Sequence, residues 1–302
     1  MSAGVRLDPL RWMRWSLVLC VLVTASAQAA MHHNGQDVAY LALTHGIWQV
    51  WTMRNDGSEA RQVTRSQSDK TRVSWYPSGD RLLVNDNQGL VSEVELSTGT
   101  VKAVELGLRP VLDAVLSPDG TQIAFSFNGA DSPDGHDLWI ESIDGSGRQR
   151  LTDMPGLQHE PTWSSDGKFL YFLSGSGKQT HDIWRLELRS GNREQLTAAD
   201  LYHFDVTASA DGTLAFSGNR SGSYELYLQP VKKEALLLTH DAAFAGHPNF
   251  SADGREILFE STRSGSLEIW KIEIESQHLT QITHQPGGAR APVWRQGLES
   301  AR

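Results

Sequence analysis

The sequence predicts an all-β protein closed into a six-bladed β-propeller. Three observations carry this prediction: a turn phrase that recurs along the chain, strand-like runs at fixed offsets from each turn, and complementary strands at the two ends of the array. The turn phrase reads Trp75-Tyr-Pro-Ser-Gly79, Leu116-Ser-Pro-Asp-Gly120, Trp163-Ser-Ser-Asp-Gly167, Ala208-Ser-Ala-Asp-Gly212 and Phe250-Ser-Ala-Asp-Gly254, with a shortened echo at Trp294-Arg-Gln-Gly297. Its glycines stand 41, 47, 45, 42 and 43 residues apart. The Asp-Gly or Ser-Gly pair supplies the positive φ that a tight hairpin needs.

After each complete turn comes a β-branched or aromatic run: Leu82–Val84, Ile123–Phe125, Phe169–Phe172, Leu214–Phe216 and Ile257–Phe259. A further run ends in an aromatic, as in Asp137-Leu-Trp139, Asp182-Ile-Trp184, Glu225-Leu-Tyr227 and Glu268-Ile-Trp270, with Gln49-Val-Trp51 matching near the front. A short closing strand is expected at Val63-Thr64, Leu151-Thr152, Leu196-Thr197, Leu238-Thr239 and Ile282-Thr283. With the strand that leads into the turn, each unit holds four antiparallel strands, which is a propeller blade. The array begins at Val38–Leu43, which matches a second strand, and finishes at Ala291–Trp294, which matches a first. One blade is therefore shared between the two ends, and six first strands, near residues 73, 114, 161, 206, 248 and 292, give six blades. An open solenoid would not begin and end at complementary points of one repeat.

Composition narrows the function. The 302 residues carry a formal charge of −9, which argues against binding to a nucleic-acid backbone, and a single cysteine excludes a thiolate metal scaffold. Residues 1–29 have the layout of a secretory signal peptide: Arg6, Arg11 and Arg14, an apolar centre from Trp15 to Ala25, and small residues for cleavage near Ala29. The apolar centre is short for a membrane span, and Cys20 lacks the setting of a lipidated cysteine. Cleavage would remove three arginines and Asp8, taking the charge from −9 to −11 and leaving no cysteine. The expected organisation is a tail over 30–36, a propeller over 37–297 and a tail over 298–302. The expected location is the periplasm, and a ring that closes on itself is expected to be monomeric.

The phrases Pro161-Thr-Trp-Ser-Ser-Asp-Gly-Lys-Phe-Leu-Tyr-Phe172, Leu116-Ser-Pro-Asp-Gly-Thr-Gln-Ile-Ala-Phe125 and Asn249-Phe-Ser-Ala-Asp-Gly-Arg-Glu-Ile-Leu-Phe259 resemble the WD40-like repeat (PD40) of the TolB family over about residues 37–296. The resemblance implies a periplasmic protein whose propeller docks an envelope partner, the peptidoglycan-associated lipoprotein Pal being the family's example. It also implies a small α/β domain ahead of the propeller. Only about eight residues separate the expected cleavage site from the first strand, so that domain is expected to be missing here, together with any role that depends on it.

First strands line a propeller's channel, and their leading residues sit at one mouth. In ring order these are Arg72, Asp113, Glu160, Asp205, His247 and Ala291, with His159, His203 and Arg290 one or two residues further out. Three adjacent blades thus present carboxylates. Asp113, Glu160 and Asp205 could hold Ca²⁺ through oxygen ligands, or the mouth could grip a basic or amide-rich peptide. The plainer alternative is a water-facing position whose charges balance one another.

Of the eight tryptophans outside the leader, Trp51, Trp75, Trp139, Trp163, Trp184, Trp270 and Trp294 fall at repeat positions and are expected in the core; Trp48 is off register and free to be exposed. His32 and His33 could form a copper or nickel site in the tail. An exported metal-dependent enzyme of the oligogalacturonide-lyase kind is the alternative function, but the histidines near first strands do not occupy equivalent positions. Serine hydrolysis is disfavoured because no Gly-x-Ser-x-Gly elbow follows the propeller. A sensory propeller without its DNA-binding half ranks below both. The leading expectation is a non-catalytic propeller binding an envelope protein or peptide.

Overall fold

The computed structural model describes residues 37–130, 135–175, 181–197, 203–220 and 222–296. The leader, the 30–36 tail with its histidine pair, and residues 297–302 lie outside the described residues. The described residues form six four-stranded antiparallel sheets. Blade 1 has the order β24-β1-β2-β3, built from β1 (Val38–Thr44), β2 (Ile47–Met53), β3 (Arg61–Gln62) and the last strand, β24 (Ala289–Trp294). Blade 2 comprises β4 (Lys70–Trp75), β5 (Arg81–Asp86), β6 (Val91–Glu95) and β7 (Val101–Ala103). Blade 3 comprises β8 (Leu112–Leu116), β9 (Gln122–Phe127), β10 (Asp137–Ser142) and β11 (Gln149–Arg150). Blade 4 runs through β12 (Leu157–Trp163), β13 (Phe169–Gly175), β14 (His181–Glu187) and β15 (Arg193–Gln195). Blade 5 has β16 (His203–Ala208), β17 (Leu214–Gly218), β18 (Glu225–Gln229) and β19 (Leu236–Leu237). Blade 6 has β20 (Ala245–Phe250), β21 (Glu256–Ser261), β22 (Glu268–Glu273) and β23 (Leu279–Gln281). The six blades and the shared closing blade are those the repeat spacing predicts.

The core repeats with the blades. Tyr40, Phe125, Phe172, Phe216 and Phe259 hold one position of the second strands, all at most 3% exposed, and stand opposite Trp51, Trp139, Trp184, Tyr227 and Trp270 of the third. Burying each such aromatic contributes about 2–3 kcal/mol before entropy is counted. Trp75, Trp163 and Trp294 are buried, whereas Trp51, Trp139, Trp184 and Trp270 are half-buried against the same clusters, because third strands lie further out, where blades diverge. Trp75 Nε1 donates to the Val293 carbonyl (3.1 Å) and Trp163 Nε1 to that of Val115 (3.2 Å), so each indole ties a first strand to that of the preceding blade.

The closing strands lie two residues earlier than expected. Pairing ends at Gln62, Arg150, Gln195, Leu237 and Gln281, and the following Leu-Thr or its equivalent turns back into the blade. There Thr64, Thr152, Thr197, Thr239 and Thr283 accept the amides of Val50, Leu138, Ile183, Leu226 and Ile269 at 2.8–2.9 Å. The same hydroxyls donate to Gln49, Asp137, Asp182, Glu225 and Glu268. The residue that opens each third-strand phrase, an acid in four blades and Gln49 in blade 1, is thus the partner of a threonine in its own blade. Blade 2 lacks this device and forms β6 and β7 where no repeat phrase marks them, around a hairpin in which Glu95 N donates to Thr100 O (2.9 Å).

Blade 1 closes the ring: Val38 stands opposite Trp294 and Ala39 opposite Val293, and Arg295 N donates to Asp37 O (2.7 Å).

Candidate functional site at the channel mouth

Every first strand slips register against its neighbour. The slips fall between Lys70 and Arg72, Leu112 and Val115, His159 and Thr162, Phe204 and Val206, and Gly246 and Asn249, and β24 slips against β1 at Ala39 to Leu41. At five of these bulges the leading residue is left-handed: Asp113 (φ 55°), Glu160 (51°), Asp205 (52°), His247 (47°) and Ala291 (50°). Such a conformation costs about 1–2 kcal/mol for a residue with a Cβ, so neighbouring groups must hold it.

Those groups come from the preceding blade. Asp113 Oδ2 accepts the amide of Glu160 (3.3 Å), Asp205 Oδ2 that of His247 (3.1 Å), and Glu260 Oε2 that of Ala291 (2.8 Å). Asn85 plays the same part toward blade 3, accepting from Ala114 N and donating to Ala114 O, both at 2.8 Å. Asp113 and Asp205 therefore help to hold adjacent blades together while also facing the channel.

All six leading positions line one cavity of about 110 Å³ on the ring axis. Arg72 reaches across it, donating from Nη2 to the Pro161 carbonyl of blade 4 (2.8 Å). His247 Nδ1 lies 3.1 Å from both Asp205 Oδ2 and Glu260 Oε1. Burial alone would lower the His247 pKa, but the charges of Asp205 and Glu260 outweigh it and hold the ring up to about 10. Burial drives the Asp205 carboxyl well above the usual carboxylate range; His247 opposes this, and Glu160 reinforces it. Burial works against the charge of Glu160, yet the neighbouring side chains of His159 and Asp205, and the charge of His247, hold its pKa down to about 2. Burial likewise opposes ionisation of Glu260, and the His247 charge prevails. The centre is thus an imidazole ring set between the carboxyl groups of Asp205 and Glu260, with Glu160 on the next blade. Glu160 Oε2 is buried without a hydrogen-bond partner among the described residues.

The outer residues behave differently. His159 Nε2 shares a hydrogen bond with His181 Nδ1 (2.9 Å), and its other nitrogen lies 3.6 Å from Glu160 Oε1. His203 Nδ1 meets the His181 carbonyl (2.8 Å), and burial lowers the pKa of both His181 and His203, leaving them neutral. Arg290 turns away from the cavity and stacks on Trp48, its guanidinium carbon 4.2 Å from the ring centroid. Trp48 is consequently half-buried against the blade 1–2 core, not exposed. Among the described residues no three His, Cys, Asp or Glu side chains are grouped as a metal-binding set.

Sequence reading missed Glu260, Asn85 and His181. Glu260 left a signal, a charge inside the apolar run Ile257-Leu-Phe-Glu-Ser261 where other blades carry Ser126, Leu173 or Ser217. Also missed was an aromatic rim: Phe204 packs on His247 (centroids 5.6 Å apart) and on Tyr224 (6.2 Å), and Tyr224 on Phe244 (6.1 Å). A larger cavity of about 310 Å³, lined by His203, Phe216, Arg220, Tyr227 and Glu234 among others, contains none of the six leading positions. The site is placed at the channel, where the charges converge.

Comparison with known proteins agrees with this architecture. The chain is 30% identical over 128 residues to the Tol-Pal system protein TolB of Anaeromyxobacter dehalogenans, a match covering 42% of this chain and only 29% of that relative's length. The crystal structure of TolB from Acinetobacter baumannii superposes with a TM-score of 0.73 at 19% identity, over 96% of this chain and 74% of that one. An oligogalacturonate lyase in complex with manganese has a TM-score of 0.56 at 12% identity, over 83% of this chain and 74% of that one, a likeness of fold alone. The TolB beta propeller domain profile matches residues 94–296, two-thirds of the sequence, and with the six bulged blades this places the chain in the TolB β-propeller family.

Proposed function

We propose that the protein is a non-catalytic periplasmic propeller that grips a segment of an envelope protein at its channel mouth. The observation that carries this reading is the half-buried, ionised Glu160, which lines the mouth and whose buried Oε2 has no partner among the described residues. Around it stand apolar groups at the same end of the first strands: Leu112 and Leu157, both exposed, and the Phe204–Tyr224–Phe244 rim. An apolar collar around a desolvated charge suits a lysine, arginine or amide side chain carried on an apolar segment. The name of the A. dehalogenans relative supports a partner from the Tol-Pal system, with a Pal-like lipoprotein as the first to test. No helix among the described residues is long and apolar enough to cross a membrane.

The test is calorimetric titration of the full chain with the soluble domain of the Pal-like lipoprotein from the same organism, for the wild type and Glu160→Gln. A charged hydrogen bond is worth about 1.5–3 kcal/mol, so the substitution should weaken binding about ten- to a hundredfold at a temperature where circular dichroism shows both proteins fully folded, the variant melting lower because it loses the ionised Glu160. Equal affinity in the two proteins would remove the mouth from the interface.

A further inference from the structure

The outer strand of blade 5 is unlike the other five. A sheet edge offers unpaired amides and carbonyls to any passing strand, and folded proteins blunt such edges with charged or amide side chains. Here β3 carries Arg61 and Gln62, β7 Lys102, β11 Gln149 and Arg150, β15 Arg193, Glu194 and Gln195, and β23 Gln281. β19 instead presents Leu236 and Leu237, 60% and 42% exposed, beside Val231 at 50%.

A second departure lies in the hydrogen bonds. Two residues after the end of β3, β11 and β23, the threonine carbonyl is covered by a side chain of the strand itself. Gln62 Nε2 donates to Thr64 O, Arg150 Nε to Thr152 O and Gln281 Nε2 to Thr283 O, each at 2.8 Å. In β15 the equivalent Gln195 donates instead to Asp182 Oδ2 (3.0 Å), and in β19 the equivalent residue is Leu237, which cannot donate at all, so among the described residues no side chain covers the Thr239 carbonyl. Leu238 N points inward to Leu226 O (2.8 Å), so by strand alternation the amide and carbonyl of Leu237 point outward.

We propose that this edge pairs with the same edge of a second copy of the chain, antiparallel about a two-fold axis at Leu237. In that register Leu237 meets its own counterpart and Leu236 meets Leu238. Ala235 stands opposite Thr239, where the strand turns back into the blade. Glu234 then faces His240, and Lys233 faces Asp241, which within its own chain also lies 3.4 Å from Arg263. Residues 233–241 are thus complementary to themselves in both charge and apolar content. A partner strand of unrelated sequence would need each of these matches supplied separately.

Sedimentation velocity from micromolar to hundreds of micromolar protein tests this. The wild type should pass from monomer to dimer across that range. Leu237→Gln, which restores the side chain found at the equivalent position of β3, β15 and β23, should stay monomeric and melt no lower than the wild type. Register is read separately in a Cys20→Ser background. Leu237→Cys should oxidise to a covalent dimer, since directly paired residues lie about 5.5 Å apart at Cα, within disulfide reach, whereas Val101→Cys on β7 should not. A wild type that remains monomeric throughout, or a dimer that persists in Leu237→Gln, would overturn the proposal.

Discussion

At the scale of single residues, His247 is the pivot of the channel. Among the described residues it is the one cation in direct contact with Asp205 and Glu260, and its own backbone amide is held by Asp205. His247 keeps Asp205 and has a side chain that is 34% exposed, so Glu260→Gln should lower stability by about 1–3 kcal/mol in urea unfolding at neutral pH. The pH dependence has a defined sign. His247 is raised from 6.5 to about 10 by folding, so its contribution is whole below pH 6.5 and is lost as pH rises toward 10. Glu160 is lowered from 4.5 to about 2, so its contribution is whole above pH 4.5 and is lost as pH falls toward 2. Between pH 6 and pH 10 the wild type should therefore lose more stability than His247→Gln. An identical loss in both would show that the imidazolium is not what holds the carboxylates.

At the scale of the element, the threonine that follows the outer strand in five of the six blades joins that strand to the third. Thr283→Val keeps the shape, but it leaves the Ile269 amide without its acceptor and the buried Glu268 without its donor. It should cost about 1–3 kcal/mol, while Thr280→Val, an exposed position of β23, should cost almost nothing. Equal effects on the urea midpoint would contradict the role assigned to the buried hydroxyl. The same element shows what was legible in the sequence. The Asp-Gly turns and alternating strands were visible because local chemistry enforces them, and they place all six blades. That Leu-Thr is a return into the blade could not be read, since it depends on a partner 13 to 15 residues away that looks like an ordinary surface acid. The leading residues of the first strands were legible as positions. Their capping by Asn85 or Glu260 was not, because a bulge shifts register and its partner lies one blade, about 30 residues, away.

At the scale of the whole molecule, closure rests on one antiparallel pair, β1 with β24, joined from the two ends of the array. Proline at Ala39, in the middle of that blade and fully buried, would remove a ladder donor in a place that cannot adapt, at a cost of about 3 kcal/mol or more. Hydrogen exchange should then show lost protection in blade 1 and also in the first strands of blades 2 and 6, which the closed ring presses against it. Loss confined to blade 1 would mean that the other blades do not depend on closure. The bulges have a different consequence for the ring as a whole. Five of six mouth positions owe their outline to a left-handed backbone, which at Glu160, His247 and Ala291 is fastened from the blade before, and at Ala291 that backbone persists with no functional group at all. Contour and chemistry are therefore separable at the mouth. Each position sits in its own blade, so the ring works as a six-place combination in which one place can be rewritten while the others stand, and relatives with the same frame are free to recognise different molecules.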